Sequence, residues 1–499
     1  MRYGFLIDHN RCIGCHACTV ACKEEHDVPV GVYRTWVKYI EKGRYPDVRR
    51  HFGVLRCNHC DNAPCIEICP TVALFRRADG IVDFDGERCI GCKSCMQACP
   101  YDALYIDPRS NTAAKCNFCA HRVEVGLEPA CVIVCPEQAI VAGDLDDASS
   151  DISRIVARGK IDVRKPEKGT RPKLFYAGIE PDLLRPARMR SQDAHLWGDK
   201  AAGEDIYCTG ERSAENLATE VYDVPHAPPW GRKIVAYLWA KSIAAGVLFV
   251  GGLLLGLGYD APRLLFVLSP AAALAFTAAT LLLLISDLKR PDRFYYLFTR
   301  GNPRSWLVIG GYILGGYGFT ACLWLFFGVF GKSPPSWVIW PAVFLALAAA
   351  GYTAFLFVQA KGRDLWQSPF FFWHLLIQAG VAGAAVLLLA NAIMFADAAS
   401  LPAILTVGLI LDLIVTLAEV FVAHGNEDAA RARRILTQGA LAGEFWGWSV
   451  SGGLLLPLVL IALWPDALFF STASAALALA GIWAFDDIWI KAGQAIPLS

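Results

Sequence analysis

Sixteen cysteines in the first third of the chain constrain its fold more than any other feature. They form four groups of four, and in the last three groups the final cysteine is followed by proline. The groups are Cys12, Cys15, Cys18 and Cys22; Cys57, Cys60, Cys65 and Cys69; Cys89, Cys92, Cys95 and Cys99; and Cys116, Cys119, Cys131 and Cys135. Disulfide-dense scaffolds are usually small and secreted, so this array in a 499-residue chain indicates metal binding.

The first and third groups have the spacing C-x2-C-x2-C-x3-C, which is the bacterial ferredoxin pattern. In that pattern three thiolates hold one cubane, and the fourth binds the other cluster of the pair. Zinc is the alternative, because paired C-x2-C motifs also bind tetrahedral Zn²⁺. A zinc ribbon would leave the third and fourth cysteine of each group unused. The spacing therefore predicts four [4Fe–4S] clusters with all sixteen cysteines as ligands.

The four groups resemble those of the iron–sulfur subunits of the DMSO reductase, or complex iron–sulfur molybdoenzyme, family. The resemblance implies that groups one and four share two clusters and that groups two and three share the other two. The implied ligand sets are Cys12, Cys15 and Cys18 with Cys135; Cys116, Cys119 and Cys131 with Cys22; Cys57, Cys60 and Cys65 with Cys99; and Cys89, Cys92 and Cys95 with Cys69. We expect an α+β ferredoxin-like domain of two bis-[4Fe–4S] modules over residues 1–145, then a connector over 146–230.

The second half of the chain has a different composition, with eight long apolar segments. Each is long enough to cross a hydrocarbon core, which takes ~20 residues. The segments are 234–258, 264–286, 306–330, 337–359, 370–394, 401–424, 443–464 and 468–490. Residues 231–499 are therefore predicted to form an all-α bundle of eight transmembrane helices in a lipid bilayer. The net charge of zero gives no indication of nucleic-acid binding, and we expect no such partner.

Loop charges indicate the orientation of this bundle. An even number of spans places both of its ends on the side of the iron–sulfur domain. The loops on that side carry Lys289, Arg290, Arg293, Arg300, Arg304, Lys361, Arg363, Arg431, Arg433 and Arg434, whereas the opposite loops carry Arg263 and Lys332. The positive-inside rule then places the iron–sulfur domain on the cytoplasmic side of a bacterial or archaeal cytoplasmic membrane. The first eleven residues lack the apolar core of a secretory signal peptide. In some members of the family that the cysteine groups resemble, the iron–sulfur subunit is exported together with a signal-bearing partner, so the orientation rests on the loop charges.

The loop after the second segment, from Ser286 to Phe294 and then Asn302 to Ser305, resembles a signature of the polysulfide reductase (NrfD-type) membrane subunits. Residues 361–369 resemble the matching loop after the fourth segment. The resemblance implies a quinone site near the iron–sulfur side and no haem. The segments offer only His374 and His424 as haem ligands, whereas a di-haem cytochrome b needs two facing pairs.

Ionisable residues within membrane spans are costly and commonly functional. The candidates for a quinone site, whether for menaquinone or ubiquinone as exchangeable substrate, are Lys241, Asp287, Arg290, Tyr312, Tyr352 and Gln359. They offer hydrogen-bond donors for the quinone carbonyls and groups that transfer protons. The alternative is structural: Lys241 extends its amine to the interface, Asp287 pairs with Arg290, and the tyrosines pack.

These features predict an electron-transfer and quinone-reactive membrane subunit of a molybdopterin-type oxidoreductase complex. Its partner would be a separate molybdenum or tungsten catalytic subunit that holds the substrate site. Two alternatives stay open. The same relay could serve a multihaem cytochrome or a hydrogenase-type partner, or the chain could be an ion-translocating module with an attached redox domain.

Overall fold

The structure is a computed structural model, and it describes residues 1–499 except 45, 192–217, 260, 395–399, 423–424 and 466. Strands and short helices make up the chain as far as Tyr222, and eight long helices follow from Arg232 onwards. This division is the predicted fold class, a ferredoxin-like α+β domain followed by an eight-helix bundle. Cys208 and His424 lie outside the described residues.

The iron–sulfur domain is built from short elements that alternate with the cysteine loops. Its strands are β1 (Tyr3–Asp8), β2 (Thr35–Arg44), β3 (Asp47–Arg56), β4 (Leu74–Arg76), β5 (Val82–Phe84), β6 (Leu104–Ile106), β7 (Ala113–Lys115), β8 (Ile140–Asp144), β9 (Leu174–Ala177), β10 (Arg190–Ser191) and β11 (Thr219–Tyr222). Its α-helices are α1 (Ala17–Glu25), α2 (Pro64–Ile68), α3 (Ser94–Ala98), α4 (Ala120–Val123), α5 (Ala130–Ile133), α6 (Asp151–Ala157) and α7 (Pro181–Leu184).

Strand pairing brings distant cysteine groups together. In a three-stranded sheet, β1 pairs antiparallel with β8 and parallel with β9. Because β1 precedes the first group and β8 follows the fourth, this pairing places groups one and four side by side. The hairpins β4–β5 and β6–β7 follow the second and third groups.

The described part of the connector is integrated into both larger sheets. Strand β9 lies beside β1, and β11 lies between β10 and β2 in a four-stranded sheet whose other edge is β3. Strand β9, which pairs with β1, lies beyond residue 145, so this sheet crosses the predicted domain boundary. The boundary at residue 145 stays a prediction.

Eight helices in the described residues are long and apolar enough to cross a membrane. They are Arg232–Gly256, Arg263–Asp287, Trp306–Val329, Ser336–Gln359, Phe371–Ile393, Leu401–Phe421, Glu444–Leu463 and Leu468–Ala495, referred to below as spans one to eight. Most ends lie within two residues of the predicted ones, but span eight continues five residues further than predicted. Span seven is π-helical over Glu444–Leu455. On the iron–sulfur side, Tyr296–Thr299 and Glu427–Thr437 form short helices between spans.

Glycines let spans one and five approach closely. A Cβ on Gly246 would collide with the backbone at Ala379 and Gly383, and a Cβ on Gly383 would collide with Gly246. Small residues at such crossings are the usual basis of close helix packing in membranes. The crossing fixes the relative positions of the polar side chains on these two spans.

The last residues of the chain return to the iron–sulfur domain. Arg164 Nη2 donates to the Leu498 carbonyl over 2.7 Å, and Lys38 Nζ donates to the Ser499 carbonyl over 2.9 Å. All four residues are buried. The two domains are therefore joined by contacts at the C-terminus as well as by the connector.

Candidate electron-transfer and quinone sites

Three cavities in the iron–sulfur domain are each lined by four cysteines from two different groups. The quartets are Cys12, Cys15 and Cys18 with Cys135; Cys57, Cys60 and Cys65 with Cys99; and Cys89, Cys92 and Cys95 with Cys69. They coincide with three of the four ligand sets that the family resemblance implies. In each, three cysteines come from one group and the fourth comes from the paired group.

Short helices explain how a single group serves two cavities. Helix α2 carries Cys65 in its first turn and ends immediately before Cys69, and α3 stands in the same relation to Cys95 and Cys99. One helical turn therefore separates the third cysteine of each group from the fourth. The proline after the fourth cysteine favours extended backbone at that cysteine, which is what Cys69 and Cys99 adopt.

The remaining four cysteines form the fourth quartet. The thiol of Cys22 interacts electrostatically with those of Cys116, Cys119 and Cys131. Arg56 lies against this quartet, and its Nη1 donates to Cys131 Sγ over 3.0 Å. The structure thus places all sixteen cysteines in four quartets.

The surroundings of the cysteines suit a cofactor rich in sulfide and thiolate. Arg56 is buried, and its Nε and Nη2 have no hydrogen-bond partner among the described residues. Backbone N–H groups of Ala113 and Ala139 donate to Cys89 Sγ and Cys135 Sγ over 3.3 and 3.2 Å. Such donors stabilise thiolate and sulfide and set the potential of an iron–sulfur cluster. The residues therefore fit [4Fe–4S] groups.

Burial opposes ionisation of these thiols when no cationic metal is present. It raises the pKa of Cys116 to about 11, although the charge of Arg56 acts in the opposite direction. It raises the pKa of Cys119 to about 12. Because metal ligands must be thiolates, cofactor assembly has to displace protons from these sites.

The quartets follow one another in a row. Cys18 of the first quartet lies near enough to Cys131 of the next for their charges to interact. The same holds for Cys116 and Cys57, and for Cys65 and Cys95. The order therefore runs from the quartet with Cys12, through those with Cys116 and Cys57, to the quartet with Cys89.

The first quartet lies at a free surface. Cys15 is exposed, as are several apolar side chains around it. These side chains are Ile13, Val20, Ile133 and Val134, and helices α1 and α5, which carry or flank them, pack together. An exposed apolar patch of this kind marks an interaction surface. We call these four side chains with Cys15 the distal patch.

The quartet with Cys89 lies at the opposite end, against the loop after span two. Arg293 Nη1 donates to the carbonyls of Gly86 and Cys89 over 2.6 and 3.2 Å. The backbone amide of Lys289 donates to the Gly91 carbonyl over 3.2 Å. The loop that resembles the NrfD signature therefore binds the third cysteine group directly.

A buried ion pair lies at the same contact. Lys93 Nζ is 2.8 Å from Asp287 Oδ2, and the side chains are 9% and 14% exposed. Lys93 also lines the cavity that contains Cys92. From the sequence Lys93 had no assigned role, and the alternative for Asp287 was a pair with Arg290. That alternative pairing is wrong: Arg290 Nη2 is 2.9 Å from Asp292 Oδ2 instead.

The loop after span four makes a second contact with the third group. Arg363 Nε donates to Gln97 Oε1 over 2.8 Å, and Gln97 Nε2 donates to Gln494 Oε1 over 2.6 Å. The amide of Gly362 donates to the Gln97 carbonyl over 3.1 Å. Both loops on which the membrane-domain resemblance was based thus contact the third cysteine group, the first loop just before helix α3 and the second at Gln97 within it.

Two of the six quinone candidates lie together inside the membrane domain. Lys241 Nζ donates to the Ala350 carbonyl over 2.7 Å and lies 5.4 Å from the ring centroid of Tyr352. The Tyr352 hydroxyl is 2.8 Å from that of Tyr237, a residue the sequence analysis did not single out. All three side chains are buried, so Lys241 does not extend to the interface.

The other four candidates lie apart from this pair. Gln359 accepts from the Trp306 amide over 3.0 Å and donates to the Arg304 carbonyl over 2.7 Å, so it caps span three. Tyr312 is exposed and contacts Phe298. Asp287 and Arg290 lie in the contact with the iron–sulfur domain described above. As ligands of quinone these residues stay predictions.

Comparison with known proteins identifies the membrane half. The profile of the family described as "Polysulphide reductase, NrfD" matches residues 220–497, more than half of the chain. The protein is a member of this NrfD family. In the same polypeptide, a 4Fe-4S dicluster domain profile matches residues 48–145, and a 4Fe-4S binding domain profile matches residues 3–24. Both resemblances seen in the sequence are confirmed.

Relatives of this NrfD-family protein match its iron–sulfur half. Thiosulfate reductase electron transfer subunit PhsB of Salmonella typhi is 46% identical over 163 residues, which are 32% of this chain and 84% of the relative. Protein NrfC of Escherichia coli is 44% identical over 178 residues, 35% of this chain and 80% of the relative. Arsenate respiratory reductase iron-sulfur subunit ArrB of a Shewanella species is 35% identical over 226 residues, 35% and 96% respectively.

The chain thus joins two units in one polypeptide: an iron–sulfur electron-transfer subunit and an NrfD-type multi-pass membrane subunit. The site contributions that sequence reasoning missed are Arg56, Lys93 and Tyr237. Their only sequence signals were a charge beside a cysteine group or a tyrosine within an apolar segment, and many residues without a role share these signals.

Proposed function

We propose that this chain relays electrons between a separate catalytic subunit and the membrane quinone pool, through four [4Fe–4S] clusters held by its sixteen cysteines. The observation that carries the proposal is the row of cysteine quartets. The row begins at the exposed Cys15 and ends where Lys93 meets Asp287 of the membrane domain. A [4Fe–4S] cluster accepts and releases single electrons at a potential set by its surroundings.

The distal patch is the proposed docking surface for the catalytic subunit. Two of the relatives are named as subunits of a thiosulfate reductase and an arsenate respiratory reductase, and each of these names implies a partner subunit. The partner we propose is a molybdenum or tungsten bis-pterin protein. Co-purification with such a protein supports this proposal, and co-purification with a multihaem cytochrome or a hydrogenase-type protein contradicts it.

Lys241 and Tyr352 are the proposed centre of the quinone site. Their amine and hydroxyl are donors suited to the two carbonyl oxygens of a quinone, in a buried setting where such hydrogen bonds are strong. Tyr352 owes its position to Gly310 of span three, where a Cβ would collide with the tyrosine ring. Both ring nitrogens of His374 contact carboxylates, which leaves neither nitrogen to bind a haem iron. The proposal therefore includes no haem.

The test uses the purified chain in liposomes, with a short-chain menaquinol and a short-chain ubiquinol as reductants. We expect about sixteen irons per chain, from four cubanes of four irons. Stopped-flow bleaching of the iron–sulfur absorbance measures electron transfer from quinol. Lys241→Met should slow it by roughly tenfold or more, because a donor in a proton-coupled step is lost.

Lys332→Met is the matched control, since Lys332 is an exposed lysine at the opposite side of the membrane domain. It should behave as the wild type. About eight irons per chain, or equal rates for all three proteins, contradicts the proposal. A cysteine introduced at position 332, labelled in whole cells, tests the proposed cytoplasmic location of the iron–sulfur domain. Because position 332 lies on the opposite side of the membrane, this cysteine should react with reagents that do not cross the membrane.

A further inference from the structure

Five ionisable side chains are buried together among spans one, five, six and eight. They are Lys241, His374, Asp412, Glu419 and Asp486, and each is at most 3% exposed. We call them the buried charge cluster. Ionisable residues inside a membrane domain are costly and mark proton or ion pathways. Sequence analysis assigned only Lys241 a role.

His374 bridges two carboxylates at the centre of this cluster. Its Nδ1 is 2.7 Å from Glu419 Oε2, and its Nε2 is 3.1 Å from Asp412 Oδ1. The first contact is a hydrogen bond, and the second is an ion-pair contact. An imidazole between two carboxylates can accept a proton on one nitrogen and release another from the other.

Asp486 connects the histidine to the quinone candidates. It interacts electrostatically with His374, Asp412 and Lys241, and its Oδ2 has no hydrogen-bond partner among the described residues. Lys241 contacts Tyr352, so the cluster is continuous with the proposed quinone site.

Helix geometry orders these groups by depth. Lys241 is nine residues from the start of span one, Asp412 nine from the end of span six, and Asp486 nine from the end of span eight. At 1.5 Å per residue, all three are about 13 Å from the iron–sulfur side of their spans. Glu419 is only two residues from the end of span six, and it accepts from Ser368 Oγ over 3.4 Å. The cluster therefore leads from the depth of the quinone candidates to the iron–sulfur side.

The charge balance of the cluster requires an exchangeable proton. If all five groups are ionised, two cations face three carboxylates, and one negative charge remains uncompensated. An unpaired buried charge is strongly unfavourable, so one additional proton bound to the cluster is favoured.

Among the described residues, the surrounding spans place no further cation in the cluster: Arg232 and Lys233, at the start of span one, are exposed. Asp487 on span eight pairs with Lys491 at 2.7 Å, and Lys491 also approaches Glu444 of span seven at 3.5 Å. Span two carries Arg263 and Asp287 at its two ends, and spans three and four contain no charged residue.

We propose that the buried charge cluster is the proton site of the quinone reaction, passing a proton between Lys241 and Tyr352 and the iron–sulfur side of the membrane. This inference rests on the proposed quinone function. Reduction of a quinone consumes two electrons, supplied by the iron–sulfur domain, and two protons. The cluster supplies the two protons in succession, and for each of them a carboxyl O–H bond breaks as a quinol O–H bond forms. His374 restores the carboxyl proton from Glu419, and Glu419 takes up a proton from water on the iron–sulfur side. Quinol oxidation reverses each transfer.

The test uses the same liposomes and quinols with the variants Asp412→Asn and His374→Gln. Each should slow electron transfer from quinol by roughly tenfold or more, in line with the loss of general acid–base catalysis. Quinone binding and the cluster EPR signals should not change, and the solvent deuterium isotope effect should increase. Asp412→Glu should restore the rate, which a purely structural role would not predict.

Asp292→Asn is the matched control, because Asp292 is an exposed aspartate outside the spans. Wild-type rates in both Asp412→Asn and His374→Gln, with intact quinone binding, would falsify the proton proposal. If the wild-type chain neither binds nor oxidises either quinol, the proposed quinone function fails instead.

A second measurement needs no variant. Infrared difference spectra of the wild-type chain, recorded between its quinone-oxidised and quinol-reduced states, should contain a protonated-carboxyl band. The band should shift in D₂O and after ¹³C labelling of aspartate and glutamate. Its absence overturns the proposal even if the variants do not fold.

Discussion

The ion pair between Lys93 and Asp287 gives a sharp test of how the two domains are coupled. Asp287→Asn leaves the ammonium without its counter-charge. At the observed 2.8 Å, and with an effective dielectric constant of about 20, the attraction is about 6 kcal/mol before desolvation is subtracted. Breaking a fully buried pair costs ~3–5 kcal/mol, and these side chains retain some exposure, so we expect a loss of about 2–3 kcal/mol.

A double-mutant cycle with Lys93→Gln measures the pairwise part of this energy. The assay is thermal bleaching of the iron–sulfur absorbance, and each single variant should bleach at a lower temperature. The double variant should recover much of the loss, with a coupling energy of about 2 kcal/mol, because it leaves no unpaired charge. Asp292→Asn, in the same loop but exposed, is the matched control.

The same variants should shift one cluster potential in opposite directions. Lys93 lines the cavity with Cys92, so removing its positive charge should lower the potential there, while removing the negative charge of Asp287 should raise it. A charge at roughly 8 Å and an effective dielectric constant of about 20 contributes about 2 kcal/mol, or about 90 mV for one electron. EPR-monitored redox titration provides the measurement. Additive stability losses together with unchanged potentials would refute the reasoning.

Two further predictions concern the contact between the domains. Gly362→Ala should destabilise this contact by about 2 kcal/mol, because the new Cβ would lie 2.6 Å from the Gln97 carbonyl oxygen. Thermal bleaching measures the loss, and Gly231→Ala is the control, because nothing lies within 4 Å of a Cβ at that position. Burial lowers the pKa of His226, but the hydrogen bond and charge of Asp102, at 3.0 Å, together with the charge of Asp223, raise it, and the net shift is upward. The resulting stabilisation is complete below the unfolded pKa of about 6.5 and is lost as the pH rises through the raised folded-state pKa. His226→Gln should therefore lower the bleaching temperature at about pH 5.5 and hardly at about pH 8.5, and equal effects at both would contradict the pairing.

Sequence reasoning located the four cysteine groups and the spans because both depend on local spacing, whereas the pairing of the groups into quartets was implied by the family resemblance. A third and fourth cysteine four residues apart are separated by one helical turn wherever they occur, and an apolar segment of ~20 residues is long enough to span a membrane in any context. The partner of Asp287 was different. The alternative partner was Arg290, three residues further along the chain. The loop turns so that Arg290 meets Asp292 instead, and Lys93 approaches Asp287 from the other domain.

The sequence by itself determined the chemistry of this protein: sixteen cysteines with ferredoxin spacing, and eight apolar segments with few charges. Only the tertiary structure decided which charged side chains meet. Lys241, His374 and Asp486 are on three different spans and are far apart in the sequence, so no periodicity relates them. Close packing at Gly246 and Gly383 fixes how spans one and five face each other, and span eight, which carries Asp486, packs against both. Local spacing specifies cofactor ligands, whereas helix packing determines where buried charges interact.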